Sequence, residues 1–208
     1  MAKPDVWPAV HEERAALAAD LEGLADDRWE LASLCEGWTV RDVLAHMTGT
    51  ARVSGANFFP KLLASGFSLK RLQAKDIAVL RGDSPADTLS NFKEELNSTT
   101  APPGPAETVL GETIVHAEDI RRPLGIAHSY PTEAAVRVAD FYKRSNLILG
   151  AKRRIAGLTL QATDADWKHG QGPSVSDPMI DLVLAMTVRK VALEGLVGEG
   201  VVTLRERS

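Results

Sequence analysis

Helical periodicity runs through the first 150 residues and limits the folds that are open to this chain. In the first pattern, Val10, Leu17, Leu21 and Leu24 recur at the spacing of one helical face. The predicted helices cover residues 6–24, a stretch from 39 onward, 57–80 with breaks, 84–96, 105–122 and 132–149. Because no segment of this part alternates convincingly like a strand, the natural packing is a helical bundle with four long helices and some shorter pieces.

The pattern changes after the basic run 152–154. Strands are predicted at residues 158–163, 167–169 and 201–204, with a helix at about 177–187 and a shorter helix that reaches 196. We therefore expect a mainly α protein, with a bundle over residues 1–150 and a small α/β appendage over residues 151–208. Because so small a region buries little surface by itself, we expect the appendage to pack on the bundle.

Composition excludes several classes of protein. The net charge of −4 gives no electrostatic reason to expect nucleic acid or an acidic membrane as a partner. No apolar run approaches the roughly 20 residues that span a bilayer, and residues 1–5 lack the apolar core of a signal peptide. The single cysteine, Cys35, excludes an internal disulfide and a multi-cysteine zinc site. We expect a cytoplasmic protein, either a monomer or a homodimer, that acts on a small molecule.

Two predicted helices carry residues that could hold a metal. Glu112 and His116 are four residues apart, so they share one helical face at the edge of an apolar stripe. His46 lies at the rim of the stripe that follows Thr39. Two histidines and one glutamate make a three-ligand site with open positions, which is typical of a catalytic metal. Zinc is the first choice, with nickel or iron possible, because imidazole and carboxylate suit all three ions.

Each of these residues also has a simpler interpretation. His46 can be a half-buried histidine whose ring binds a backbone carbonyl, as many partly buried histidines do. Glu112 and His116 can be an exposed helix pair worth a few tenths of a kcal/mol, roughly the value of other pairs at this spacing. The residues alone leave both alternatives open.

The segment Cys35–His46 resembles the signature of the mycothiol-dependent maleylpyruvate isomerase family, within the broader DinB-like group of metal-binding four-helix bundles. The segment Glu112–Gly125 resembles the other metal motif of that family, and residues 170–173, 181–184 and 198–201 resemble its C-terminal region. The resemblance implies a DinB-like four-helix bundle in which His46, Glu112 and His116 bind the metal. It also implies mycothiol as a thiol cofactor, with a sulfur that could coordinate the metal.

Two arginines are candidates for a role in activity. Arg189 is the candidate for a C-terminal arginine that contributes to activity in the family, although relatives often carry Thr-Gly-Arg where this chain has Thr187-Val188-Arg189. Arg121 is a candidate for binding a carboxylate of the cofactor or the substrate. Arg121 would equally complement the dipole at the end of a helix without any active site.

Two other residues near the motifs have expected roles. Asp119 lies one turn beyond His116 and could orient its imidazole, as carboxylates commonly do in metal sites. Cys35 is expected to be a small buried apolar residue, since free cysteine is usually buried, and its replacement by alanine is expected to leave activity largely intact.

Two functions remain in competition. The first is a thiol-dependent metalloenzyme, an isomerase or S-transferase that acts on a small electrophile. The second is a non-enzymatic protein that binds a metal or a small molecule on the same bundle. The chain has no serine in a recognisable nucleophile motif, so in an enzyme the nucleophile would come from a metal-bound water or from an added thiol.

Overall fold

Capping boxes set the start of three helices in the computed structural model, which describes residues 5–147 and 149–207. Thr39 is the N-cap that the sequence predicts: its hydroxyl accepts from the Asp42 amide, and the Asp42 carboxylate accepts from the Thr39 amide at 2.9 Å. The helices that follow Ser54 and Ser84 begin in the same way. These reciprocal bonds satisfy amide groups that have no partner inside a helix.

The described part is mainly helical, as predicted. The α-helices are α1 (Trp7–Asp20), α2 (Asp26–Trp29), α3 (Val40–Arg52), α4 (Gly55–Ala64), α5 (Leu69–Leu80), α6 (Pro85–Lys93), α7 (Glu107–Leu124), α8 (Thr132–Tyr142), α9 (Ala151–Arg154), α10 (Met179–Met186) and α11 (Val201–Glu206). A 3-10 helix spans Lys190–Glu194, and the strands are β1 (Thr159–Ala162), β2 (Lys168–Gly170) and β3 (Ser174–Asp177). The chain divides into two compact units, one ending at Ala127 and the other beginning at His128.

The first unit is a helical bundle built around α3. This helix packs against α5, α6 and α7, and α1 packs against α6 and α7. Leu17 of α1, Leu44 of α3, Phe92 of α6 and Ile120 of α7 belong to one core cluster, and each is fully buried. Burying side chains of this size contributes about 1.5–3 kcal/mol each, so this shared core holds the four helices together. The four-helix bundle implied by the family resemblance is confirmed.

The second unit combines helices with a small sheet, in agreement with the predicted α/β character. The strand order is β2-β1-β3; β1 is antiparallel to β2 and parallel to β3. Helix α10 packs against α8, β1 and β3. The α8–α10 contact places α8 in this unit, so the division falls at 127/128 rather than at the predicted position 150.

Three other details differ from the sequence prediction. Residues 201–204 form the first turn of α11 and not a strand. Val201 and Leu204 are buried while Val202 is exposed, which is the i, i+3 pattern of a helix. A segment of only four residues was too short for its apolar pattern to distinguish a helix from a strand. Strand β3 was not predicted, and α8 ends at Tyr142 instead of 149.

Residues 1–4, 148 and 208 lie outside the described part, so the predictions for the N-terminus and for residue 148 are not addressed by it. Among the described helices, none combines the length and the apolar character needed to cross a bilayer.

Val188 should be a strained position. Its φ of 73° is left-handed, a conformation that costs a β-branched residue about 1–3 kcal/mol. Glycine adopts this φ freely but loses about 0.5–1 kcal/mol more backbone entropy on folding. We expect Val188→Gly to raise the free energy of unfolding by about 1 kcal/mol, measured by urea denaturation. The equally exposed Val191 does not have a positive φ, so Val191→Gly should destabilise the protein instead.

Candidate metal centre

The packing of α3 against α7 brings His46 next to Glu112 and His116. One ligand atom from each of these three residues lies within 4.8 Å of the others. His46 Nε2 is 3.8 Å from Glu112 Oε1, and the two imidazole rings meet edge to face with centroids 5.1 Å apart. The structure thus brings together all three residues that the sequence suggested as metal ligands.

The three side chains are mostly buried but not sealed off. The exposed fractions are 13% for His46, 20% for Glu112 and 14% for His116. The indole of Trp38 lies against His46, with ring centroids 4.9 Å apart and the planes tilted by 55°. Since Trp38 also packs against the core cluster, it restricts the rotation of the His46 ring.

His116 is anchored from behind by Asp119. Its Nδ1 atom lies 2.8 Å from Asp119 Oδ2, and the Asp119 side chain is fully buried. A hydrogen bond at Nδ1 leaves Nε2 as the free ligand atom, the usual arrangement of a carboxylate behind a metal-binding histidine. The contact has the geometry expected for a carboxylate that orients this imidazole.

Cys35 is part of this cluster, which corrects the expectation that it is only a small buried apolar residue. Its thiol donates to Asp119 Oδ2 at 3.0 Å and lies 3.7 Å from His116 Nδ1. It is partly exposed and also packs against the core cluster. The sequence prediction considered the cysteine by itself. Its position in the same motif as Trp38 and His46 would have indicated that it lies near the metal centre.

Burial and mutual contact shift the pKa values of the three residues strongly. Burial, together with the charge of His116, lowers the pKa of His46 to about 3. Burial also disfavours protonated His116, but hydrogen bonds with Asp119 and Cys35 outweigh this and raise its pKa to about 10. Burial raises the pKa of Glu112, opposed by the charge of His116, a hydrogen bond with Thr50 and the charge of Arg14.

The donor set fits a divalent metal. Two imidazoles and a carboxylate within ligand reach, one imidazole backed by a buried carboxylate, suit zinc, nickel or iron. A bound cation would also compensate the buried negative charge of Glu112 and Asp119. A second group of potential ligands, Cys35, His116 and Asp119, shares His116 with the first.

Arg121 is paired with carboxylates of another helix of the first unit. Its side chain is fully buried: Nε donates to Asp20 Oδ2 at 2.7 Å, and Nη1 lies 3.8 Å from Glu13 Oε2. The predicted helix ended near this residue, but α7 continues to Leu124, so Arg121 faces α1 from within the helix. Because its guanidinium is engaged with two carboxylates of α1, Arg121 ties α7 to α1, and its role in binding a cofactor or a substrate stays a prediction.

Arg189 belongs to the second unit, where it precedes the 3-10 helix. Its Nη1 atom donates to the Thr187 carbonyl at 2.7 Å, and its backbone amide donates to Leu184. These two bonds hold the backbone and the side chain of Arg189 against the end of α10. The role of Arg189 in activity stays a prediction.

Arg121 should be important for stability. Replacing Arg121 with alanine would leave the buried Glu13 carboxylate without this cation, and breaking a buried pair in this way costs about 3–5 kcal/mol. Urea unfolding of the variant should show a loss of that size. As a control, Lys93→Ala removes an exposed ion pair with Glu22, which solvent screens, and should cost far less. Equal losses for the two variants would contradict the structural role of Arg121.

Zinc uptake should release a proton. Since the pKa of His116 is raised to about 10, this residue is protonated in the metal-free protein at neutral pH and must lose that proton to bind zinc. The apparent zinc affinity should therefore fall about tenfold for each unit by which the pH is lowered from about 9 to 7. Calorimetric titration in two buffers of different ionisation enthalpy measures the proton release directly. An affinity independent of pH over this range would contradict the prediction.

Comparisons with known proteins give a family match and two similar solved structures. The family model described as the mycothiol maleylpyruvate isomerase N-terminal domain matches residues 10–121. A comparison with curated proteins finds no match. Among solved structures, a mycothiol-dependent maleylpyruvate isomerase is 15% identical, with a TM-score of 0.66 over 93% of this chain and 91% of that one. A histidine-to-alanine mutant of such an isomerase matches over the same shares, with 16% identity and a TM-score of 0.62.

The family match covers more than half of the 208 residues, and it includes all three candidate ligands. The structural matches, at such low identity, show that the fold is shared. The chain belongs to the mycothiol maleylpyruvate isomerase family.

Proposed function

We propose that this protein is a mycothiol-dependent metalloenzyme of the maleylpyruvate isomerase type, an isomerase or a thiol S-transferase that acts on a small electrophile. The observation that carries the proposal is the convergence of His46, Glu112 and His116 within the part of the chain that matches the family. A reducing, cytoplasmic setting suits a thiol cofactor. Family membership and the shared fold support this assignment, and the three site residues supply the ligand types that a divalent metal needs.

The three side chains would hold one divalent metal, with zinc as the first choice. Three protein ligands leave at least one coordination position for another molecule, as in other catalytic zinc sites. A metal held by these residues would lower the pKa of a coordinating thiol, so that the cofactor could supply a thiolate nucleophile. The partial exposure of the three residues agrees with access for an external ligand.

The residues of the chain itself prepare the site for this chemistry. Asp119 holds the Nδ1 proton of His116, which keeps Nε2 directed to the metal position. Trp38 restricts the His46 ring and covers one side of it. Thr50 and Arg14 act on Glu112 in favour of its charged form, the form that binds a cation.

For the substrate, we propose a small molecule that bears a carboxylate. Arg189 is the proposed partner of that carboxylate, because a guanidinium binds a carboxylate with two parallel hydrogen bonds. Arg121 has no part in this proposal, since its guanidinium is buried against α1. Turnover assays with a series of small carboxylate-bearing electrophiles in the presence of mycothiol would identify the substrate.

The proposal is tested by metal analysis of the purified protein, followed by turnover assays with mycothiol. We expect about one zinc per chain and thiol-dependent turnover, both lost in His116→Ala because that variant removes a ligand. His11→Ala is the matched control: His11 is also on a helix of the first unit, but its Nε2 contacts the Ser98 carbonyl instead of the cluster. This control should keep both the metal and the activity.

Two outcomes would contradict the proposal in different ways. Full thiol-dependent turnover by metal-free His116→Ala would show that the metal centre is not the catalyst. A wild-type protein that binds zinc but has neither affinity for mycothiol nor turnover would favour the alternative, a non-enzymatic metal-binding protein on the same bundle.

A further inference from the structure

The segment that leads into α3 makes two hydrogen bonds to one residue of α7, Asp119. The Leu34 amide donates to the Asp119 carbonyl at 3.2 Å, and the Cys35 thiol donates to the Asp119 carboxylate at 3.0 Å. One residue of α7 thus receives both a backbone and a side-chain bond from the same short segment. The Oδ2 atom that accepts from Cys35 is the one that contacts His116 Nδ1.

Residues 35–38 form a turn that reaches both histidines. The Trp38 amide donates to the Cys35 carbonyl at 3.0 Å, and Gly37 has a φ of 79°, which glycine adopts without strain. Ser33 braces the turn, since its hydroxyl accepts from the Cys35 amide and donates to the Trp38 carbonyl. At one end of the turn, Cys35 meets Asp119 behind His116; at the other end, Trp38 packs on His46.

We propose that this turn positions both histidines of the metal centre, and that Cys35 is a positioning residue which acts through Asp119. The thiol holds the Asp119 carboxylate in the orientation that accepts the Nδ1 proton of His116, and this fixes Nε2 toward His46 and Glu112. The inference rests on the proposed metal site and adds a role for a residue that is not one of its ligands.

The burial of Asp119 gives the thiol this influence. Its side chain is fully buried, so water does not readily replace a donor that is lost. Without Cys35, the carboxylate would keep its contact with His116 but lose one of the donors that oppose rotation about its own side-chain bonds. Carboxylates that orient metal-binding histidines typically change metal affinity by about 10- to 100-fold when they are disturbed.

The distances favour positioning over coordination by Cys35 itself. The Asp119 oxygen is 2.8 Å from His116 Nδ1 and 3.0 Å from the Cys35 sulfur, both hydrogen-bond distances. Ligand atoms on one tetrahedral zinc would be separated by about 3.3–3.6 Å at the usual bond lengths. A metal held by Cys35, His116 and Asp119 would also consume the Nδ1 atom that the carboxylate now anchors.

The experiment compares Cys35→Ala and Cys35→Ser with the wild-type protein, using zinc alone as the probe. Competition with a chromophoric chelator should show an affinity about 10- to 100-fold weaker for Cys35→Ala. Cys35→Ser should stay near the wild type, because a hydroxyl can donate to Asp119 as the thiol does. In zinc-loaded protein, the Nδ1 proton of His116 should give a slowly exchanging NMR signal in the wild type and Cys35→Ser, broadened by exchange with water in Cys35→Ala.

Leu21→Ala is the control for a general loss of packing. Leu21 is a buried residue of the core cluster, so this variant should be less stable, yet its zinc affinity and its His116 proton signal should match the wild type. Urea unfolding of all variants verifies that each is folded under the conditions of the titration.

Three outcomes would overturn the inference. Wild-type zinc affinity in Cys35→Ala would show that the thiol has no positioning role. A thiolate-to-cobalt charge-transfer band in the cobalt-substituted wild type, absent from Cys35→Ser, would show that Cys35 is a ligand. Failure of the wild type itself to bind zinc would contradict the proposed metal centre, and this separates the failure of that proposal from the failure of the positioning role alone.

Discussion

The packing of α3 against α7 is the interaction on which the candidate site depends. Apolar residues of both helices, among them Leu44 and Ile120, lie in one core cluster and fix how the two helices meet. The register set by this packing places His46 opposite Glu112 and His116. The same burial that stabilises the bundle removes water from these polar groups, which shifts the pKa values of both histidines.

Helix α7 carries more buried charge than a core helix normally does. Two sets of its charged or titratable residues have different roles. Glu112, His116 and Asp119 face the candidate metal centre, whereas Arg121 is paired with carboxylates of α1. A buried charge is tolerated when it is paired or when it binds a metal. The charge of Arg121 is balanced by carboxylates of α1, and the proposed metal would balance the negative charge at the other set of residues.

The candidate metal centre and the proposed substrate contact belong to different units of the chain. The first unit contains the three converging side chains and the whole of the family match. Arg189 belongs to the second unit, whose relation to the activity is a proposal. Val188, next to Arg189, has a left-handed backbone conformation that a glycine would adopt without strain.

The sequence by itself determined most of the long helices, the N-cap at Thr39 and the three candidate ligands, because periodicity, capping and short motifs are local properties of the chain. Only the tertiary structure showed that Arg121 is engaged by α1, that Cys35 meets Asp119, and that α8 belongs with α10. The helical state of residues 201–204 was also visible only in the tertiary structure, since the apolar pattern of four residues fits either a strand or a helix. Each of these features depends on contacts between segments far apart in sequence, and local spacing carries no information about such partners.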